Sequence, residues 1–273
     1  MSGTLQVLGI CRFSYLGSGG FKVEHPDLAA RREFLYDPER MEERFRLFEA
    51  ITLPSVRGQT DPDFTFLVVT GDSLPPPFMD RLRDLLSDIP QARIKTCKPG
   101  KHRQVMRRAV LEARQPSDLP FLQFRLDDDD AMGVRFVERF RQTARDLQPL
   151  WSRHPAIAVD FNTGYVFTAG PEGVKIWPYQ YAYSAIALGM IVQPGHKDTI
   201  MNHGHLNLWK SMPTITFPDE DMMLRGHNDF NDSRIGGKGN TFDYRPLTPE
   251  DEARLKAAFN LDNAAVRRIF SAP

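Results

Sequence analysis

What most constrains this chain is an alternation in its first 150 residues. Short apolar runs of strand character are each followed by a stretch with apolar residues at helical spacing. Leu5 to Phe13 (LQVLGICRF) runs into the loop YLGSGG, as a buried strand would. Asp37 with Pro38 supplies an N-cap and first-turn pair, and Phe45, Leu47, Phe48 and Ile51 then recur at helical intervals. DFTFLVVT from Asp63 predicts a second strand, and PPPFMDRLRDLLSD a helix opening on prolines. ARIKTCKPG predicts a third strand, and HRQVMRRAVLEARQ a basic helix. PFLQFRL, then DDDD, then GVRFVERFRQTARDL give strand, acidic end and helix again. Strands alternating with helices in this way predict an α/β fold with a mostly parallel central sheet flanked by helices.

Beyond about residue 150 the texture changes to short strands and turns, then to a polar segment rich in glycine, histidine and asparagine (MNHGHLNLWKSMPTITFPDEDMMLRGHNDFNDSRIGGKGN). Segments of that composition usually line sites or lids. Residues 246–273 close the chain as an amphipathic helical tail, with Thr248 to Asp251 as a capping start. At 273 residues one sizeable core is within reach, or a main lobe with a smaller one.

Thirty-five basic residues balance thirty-five acidic ones, so no overall field draws the chain to nucleic acid. A nucleotide-sized ligand held by local charge is compatible with that balance. The two cysteines, Cys11 and Cys97, form no CxxC. A reduced, cytoplasmic setting is expected, although two cysteines suffice for one bridge. The N-terminus lacks a basic leader region, and no run of about 18 apolar residues predicts a membrane span. Peripheral contact with a membrane surface is left open.

The sharpest local feature is QFRLDDDDAM, residues 123 to 132. Ligands in open α/β sheets bind beyond the carboxyl ends of the strands, and these four aspartates stand at such an end. Gathering like charges there calls for a counter-charge. A hard divalent cation, Mg²⁺ or Mn²⁺, is the natural one, and it would bridge to a diphosphate. The plainer alternative is that Asp129 or Asp130 caps the helix GVRFVERF. An EF-hand is excluded: Ala131 and Met132 occupy the places of a ligand and of the turn glycine.

The order strand, LDDDD, helix resembles the DxD element of GT-A-fold glycosyltransferases. LPSVRGQTDPDFTFLVV is similar to the first helix and second strand of their family 2 members. Taken with RFSYLGSGGF, FRLDDDDA and RGHNDFNDS, the chain resembles a bacterial rhamnosyltransferase family from about Gly9 to Arg234. That resemblance implies a GT-A-like nucleotide-diphospho-sugar transferase fold over residues 1–245. Residues 1–150 would form the nucleotide-binding half and 151–245 the acceptor side. It implies a metal-dependent glycosyltransferase moving a sugar, rhamnose by the family name, from a nucleotide-sugar donor to a hydroxyl acceptor in bacterial polysaccharide or glycan synthesis. Asp127 would meet the donor ribose, and Asp129 the metal with Asp130 assisting. Arg12, Phe13, Asp72, Lys101, Arg103 and Arg125 would contact the rest of the donor, with an ordinary basic helix start as the alternative for Lys101 and Arg103. VVTGDS around Asp72 departs from the usual VDDGS of family 2.

An inverting transfer needs a general base to take the acceptor's proton. Family 2 enzymes place a carboxylate well downstream of the DxD element, where this chain has Asp221 and Glu220; a helix cap before MMLRG is the alternative. His227, in GHNDFND, is the expected third metal or diphosphate ligand. His203 and His205 lack a third ligand at zinc spacing and fit a loop or the acceptor site. Trp177, Tyr179, Tyr181, Tyr183 and Trp209 offer stacking surfaces for a sugar, or simply core.

In the glycine loop, the third glycine of GxGxxG would fall at Lys22 with no helix behind it, which argues against a dinucleotide fold. No P-loop and no GxSxG is present. Two rivals remain: a sugar nucleotidyltransferase, whose glycine-rich signature RFSYLGSGGFK fits poorly, and a non-catalytic nucleotide- or saccharide-binding module.

Overall fold

A computed structural model describes residues 4–19, 25–227 and 242–272. Its strands are β1 (Val7–Arg12), β2 (Thr65–Gly71), β3 (Ala92–Cys97), β4 (Phe121–Arg125), β5 (Ala131–Met132), β6 (Ala156–Gly170), β7 (Gly173–Gln180), β8 (Leu188–Val192), β9 (Thr214–Gly226) and β10 (Arg245–Pro246). Its helices are α1 (Leu28–Leu35), α2 (Pro38–Leu47), α3 (Leu53–Arg57), α4 (Pro76–Leu86), α5 (His102–Ala113), α6 (Phe136–Asp146), α7 (Gln148–Trp151), α8 (Pro249–Phe259) and α9 (Asn263–Ser271).

The sheet order is β10-β7-β6-β8-β4-β1-β2-β3, with β9 joining β6 and β5. The first half is the expected α/β unit: β3, β2, β1 and β4 are parallel neighbours joined by helices. Past β4 the sheet becomes mixed, because β8 runs antiparallel to β4 and to β6, and β7 antiparallel to β6. The fold thus keeps the expected α/β order in its first half, with a curled second half in which β6 serves three neighbours. β9 lies parallel to β6 along most of its length. Gly164 permits that approach: a Cβ there would meet the Met223 carbonyl oxygen at 1.8 Å.

The elements of the first half and of the C-terminal tail form where the sequence placed them, with local exceptions. Asp37 accepts from the Arg40 N–H and caps α2, which continues through a π-turn at Phe48–Thr52 into α3. The segment 27–35 forms α1, capped by Asp27, although it carries little apolar periodicity. Helix α6 begins at Phe136 with Arg135 as its cap residue, so neither Asp129 nor Asp130 caps it. Cys11 and Cys97 are both buried free thiols. No helix of the described residues is long and apolar enough to cross a membrane.

Apolar side chains pack on both faces of the sheet. Phe13, Phe45, Phe48, Phe124, Phe136 and Phe161 lie in one cluster with α2, α4 and α6. The second cluster sits under α5 and the loop around Met201. The C-terminal tail builds the third. Leu255, Phe259, Val266 and Phe270 cover Tyr165, Phe167 and Ile176 of the sheet, together with Ile51 from the π-turn. A capping box between Thr248 and Asp251 starts α8, and Asn263 at the start of α9 accepts from the Val174 N–H.

Candidate active site

One pocket opens at the carboxyl ends of β1, β4 and β9. Arg12 ends β1, Arg125 ends β4, and Arg225 and Gly226 end β9. Arg44 comes from α2, His102, Arg103 and Met106 from α5, Ser184 and Ala185 from the β7–β8 connection, and Met201, His203 and His205 from the loop after β8. The pocket is open to solvent on one side, and its lining is mostly polar and charged. Five arginines and three histidines face three carboxylates, Asp127, Asp129 and Asp130.

The four aspartates divide. Asp128 turns away into the protein, where both of its oxygens accept from Arg44, one at 2.8 Å from Nε. Leaving one member of such a buried pair alone costs about 3–5 kcal/mol. Asp127 accepts from Arg125 at 3.2 Å. Burial works to raise its carboxyl, but Arg125, Arg12 and Arg44 outweigh it and hold the group well below the usual carboxylate range. Asp130 accepts from the Gly226 N–H at 2.9 Å, and its own carbonyl accepts from Thr52 Oγ1 at 2.8 Å. Burial, then the neighbouring charge of Asp129, pushes the Asp130 carboxyl well up. Gly226 allows this contact, since a Cβ there would stand 2.4 Å from the Asp129 carbonyl oxygen.

The histidines differ in partner. His102 is driven down to about 3 by burial, with Arg12 and Arg125 adding to it, and so stays neutral near pH 7. His203 Nε2 lies 2.9 Å from Asp198. His205 Nδ1 donates to the Tyr183 carbonyl, and burial lowers its proton affinity.

Of the expected donor residues, Arg12, Arg103, Arg125 and Asp127 therefore line one pocket, as do the expected metal residues Asp129 and Asp130. Phe13 does not reach it. Its ring is wholly buried against Phe45 and Phe48, 4.9 and 5.1 Å away, because the residue after Arg12 faces the opposite side of the sheet. Asp72 is exposed beyond β2, and Lys101 is exposed with its backbone bridged to Ser18; neither lines the pocket.

Glu220 and Asp221 also lie elsewhere. They sit four to six residues before the pocket end of β9, about 13–20 Å back along an extended strand. Glu220 is held by Arg135 and Arg139, and Asp221 by Arg254 at 2.7 Å with Tyr165 beside it. His227 leaves the strand just past Gly226, is exposed, and pairs through Nδ1 with the Tyr244 hydroxyl at 2.6 Å. It does not line the pocket, and among the described residues no set of three metal-ligating side chains is assembled. Asn228 to Ser233 of the same motif lie outside the described residues.

Sequence reasoning missed Arg44 and Arg225. Arg225 lies within a polar motif that carried a signal, LRGHNDF, whereas Arg44 sits in an ordinary amphipathic helix that carried none.

A family model described as "Putative rhamnosyl transferase" matches residues 6–238. The chain belongs to that family of glycosyltransferases. No curated protein matches the sequence. Similar solved structures include residues 1–349 of TarS from S. aureus, with TM-score 0.41, 9% identity, 81% of this chain and 60% of that chain. Its complex with UDP-GlcNAc gives 0.41, 11%, 98% and 71%, and its complex with UDP gives 0.42, 10%, 98% and 70%. This chain therefore spans 60 to 71% of the TarS chains it matches. Likeness at that level is remote and says nothing of the site.

Proposed function

We propose that the pocket binds a nucleotide-sugar donor and passes the sugar to a hydroxyl acceptor. The observation that carries this reading is the convergence of Arg12, Arg103, Arg125 and Arg225 on one pocket beside ionised Asp127, in a chain with no net charge. Guanidinium forks match phosphate oxygens in geometry and charge. A cluster of them stabilises a departing diphosphate more than the intact donor, which is where catalytic benefit arises. Asp127, held ionised by its arginines, is suited to accept from a ribose hydroxyl.

Asp129 and Asp130 fit a divalent cation. They are adjacent, buried, and line the same pocket, and Asp129 disfavours charge on Asp130. Mg²⁺ commonly takes one or two carboxylates together with substrate phosphates, so these two suffice without a third protein ligand. A bound Mg²⁺ or Mn²⁺ would add Lewis-acid stabilisation of the leaving phosphate. The family description makes rhamnose the first sugar to test.

Thermal shift with UDP-, dTDP- and GDP-sugars, with and without Mn²⁺, tests the reading. A donor at a hundred times its Kd should stabilise the protein by about 2.7 kcal/mol. Asp129→Ala should lose the manganese-dependent part of that shift, together with donor hydrolysis. If no nucleotide, sugar nucleotide or cation shifts the wild type, the reading fails. Binding without turnover of any donor would favour a non-catalytic module instead.

A further inference from the structure

The connection between β7 and β8 carries an arrangement that the donor pocket alone does not explain. Tyr183, Ala185 and Ala187 stand at φ 61°, 79° and 52°, three non-glycine residues in the left-handed region within five positions. Backbone of that kind persists only where its surroundings over-determine it, and it clusters at functional sites. Three contacts fix it here. The Tyr183 N–H donates to Asp160 Oδ2 at 3.1 Å, the Tyr183 carbonyl accepts from His205 Nδ1, and the Ser184 carbonyl accepts from Arg225 at 3.0 Å. Asp160 is itself wholly buried in β6, where the same oxygen accepts from Thr216 Oγ1 of β9 at 3.4 Å. The sheet thus anchors a carboxylate, the carboxylate anchors one backbone residue, and that residue anchors an imidazole lining the pocket.

A carbonyl oxygen can only accept. His205 Nδ1 must therefore carry a proton, and in the neutral ring Nε2 keeps its lone pair. Burial favours that neutral ring, although the charged groups that act on it, Arg125, Arg225 and Asp127, are of mixed sign; Arg103 approaches its neighbour Gly204. The other proton acceptors are each engaged differently. Asp127 accepts from Arg125, Asp129 and Asp130 lie together where the proposed cation would be held, His203 Nε2 faces Asp198, His102 sits among the donor-side arginines, and Glu220 and Asp221 are outside the pocket.

We infer that His205 is the catalytic residue that takes the acceptor's proton, and that Asp160 is a positioning residue acting on it through the backbone of Tyr183. The inference rests on the transfer reading above. In the step, the acceptor O–H gives its proton to His205 Nε2 while its oxygen bonds to the anomeric carbon. The bond from that carbon to the phosphate oxygen breaks, and its electron pair leaves on the nucleoside diphosphate. The imidazolium afterwards releases the proton to solvent.

The test measures nucleoside diphosphate release from whichever UDP-, dTDP- or GDP-sugar binds, with water as acceptor. His205→Asn keeps an amide able to donate to the Tyr183 carbonyl but has no acceptor at the Nε2 place. It should keep wild-type Tm and donor affinity while kcat falls roughly 10²- to 10⁴-fold. His205→Gly should recover turnover when imidazole is added. Asp160→Ala should lower kcat about tenfold with donor KM unchanged, and Asp160→Asn, which can still accept from the Tyr183 N–H, should restore most of it. Turnover near wild type in His205→Asn, or a loss that follows donor affinity or Tm, overturns the inference while the transfer reading stands. A wild type that binds no donor overturns both.

Discussion

Asp160 carries a cost that can be measured apart from any activity. Burial raises its carboxyl from 3.8 to about 6, against the opposing donors Tyr183 and Thr216, and Oδ1 has no hydrogen-bond partner among the described residues. Between those two values the folded protein holds a proton that the unfolded chain has already released. Stability from this group therefore falls as pH rises through that window, and the loss is complete above about pH 6. At about 1.4 kcal/mol per pH unit, on the order of 3 kcal/mol is withheld at neutral pH. Asp160→Asn is expected to flatten the pH dependence of unfolding free energy between pH 4 and 6, and to match or exceed the wild type at pH 7.5. Urea titrations across that range check it; a variant that is less stable at pH 7.5 with the slope intact rejects it. Residue scale is also where the aspartate run resolves. Asp128 and Asp129 are neighbours in sequence, yet one closes a buried ion pair with Arg44 and the other faces the pocket. Their local sequence is identical in character, so nothing short of the fold separates them.

Among the elements, β9 decides the shape of the site. Its last residues, Arg225 and Gly226, close the pocket, and the Gly226 N–H binds Asp130. Gly226→Ala would drive a Cβ to 2.4 Å from the Asp129 carbonyl, which backbone cannot yield without movement. We expect a stability loss of about 1–3 kcal/mol and weakened donor binding, because the strand end must withdraw from the aspartates. Isothermal titration with the donor checks this; unchanged affinity would mean the contact does not shape the pocket. The strands of the first half were legible because each pairs a short apolar run with a helix next in sequence. β9 was not legible. PDEDMMLRG offers no clean alternation, since its strand state comes from pairing with β6 far back in the chain, bulges included. That is also why Asp221 and Glu220 fitted a catalytic place on sequence order alone: position along the chain did not reveal how far back along β9 they stand.

At the scale of the whole molecule, the C-terminal tail is part of the core. Phe259 and Phe270 cover the outer half of the sheet, Asn260 and Ala258 reach Pro54 and Val134, and Arg254 binds Asp221. Phe259→Ala is expected to cost about 3–5 kcal/mol, read from denaturant midpoints, and to lower turnover only through loss of folded protein. A change under 1 kcal/mol would mean that the tail packs too loosely to matter. The amphipathic pattern and the Thr248 cap announced this segment as helical but said nothing of its seat.

What the sequence determined by itself is local. The strand and helix alternation, the Asp37 and Thr248 caps, and the carboxylates at the end of β4 follow from side chains interacting with their own neighbours in the chain. The tertiary structure decided which of those side chains meet. Five arginines from β1, β4, β9, α2 and α5 share one pocket, Phe13 faces the core, and Tyr183 brings Asp160 to His205. Such meetings depend on strand register, sheet curl and the burial of charge, which are properties of the assembled chain and leave no period or spacing in the sequence.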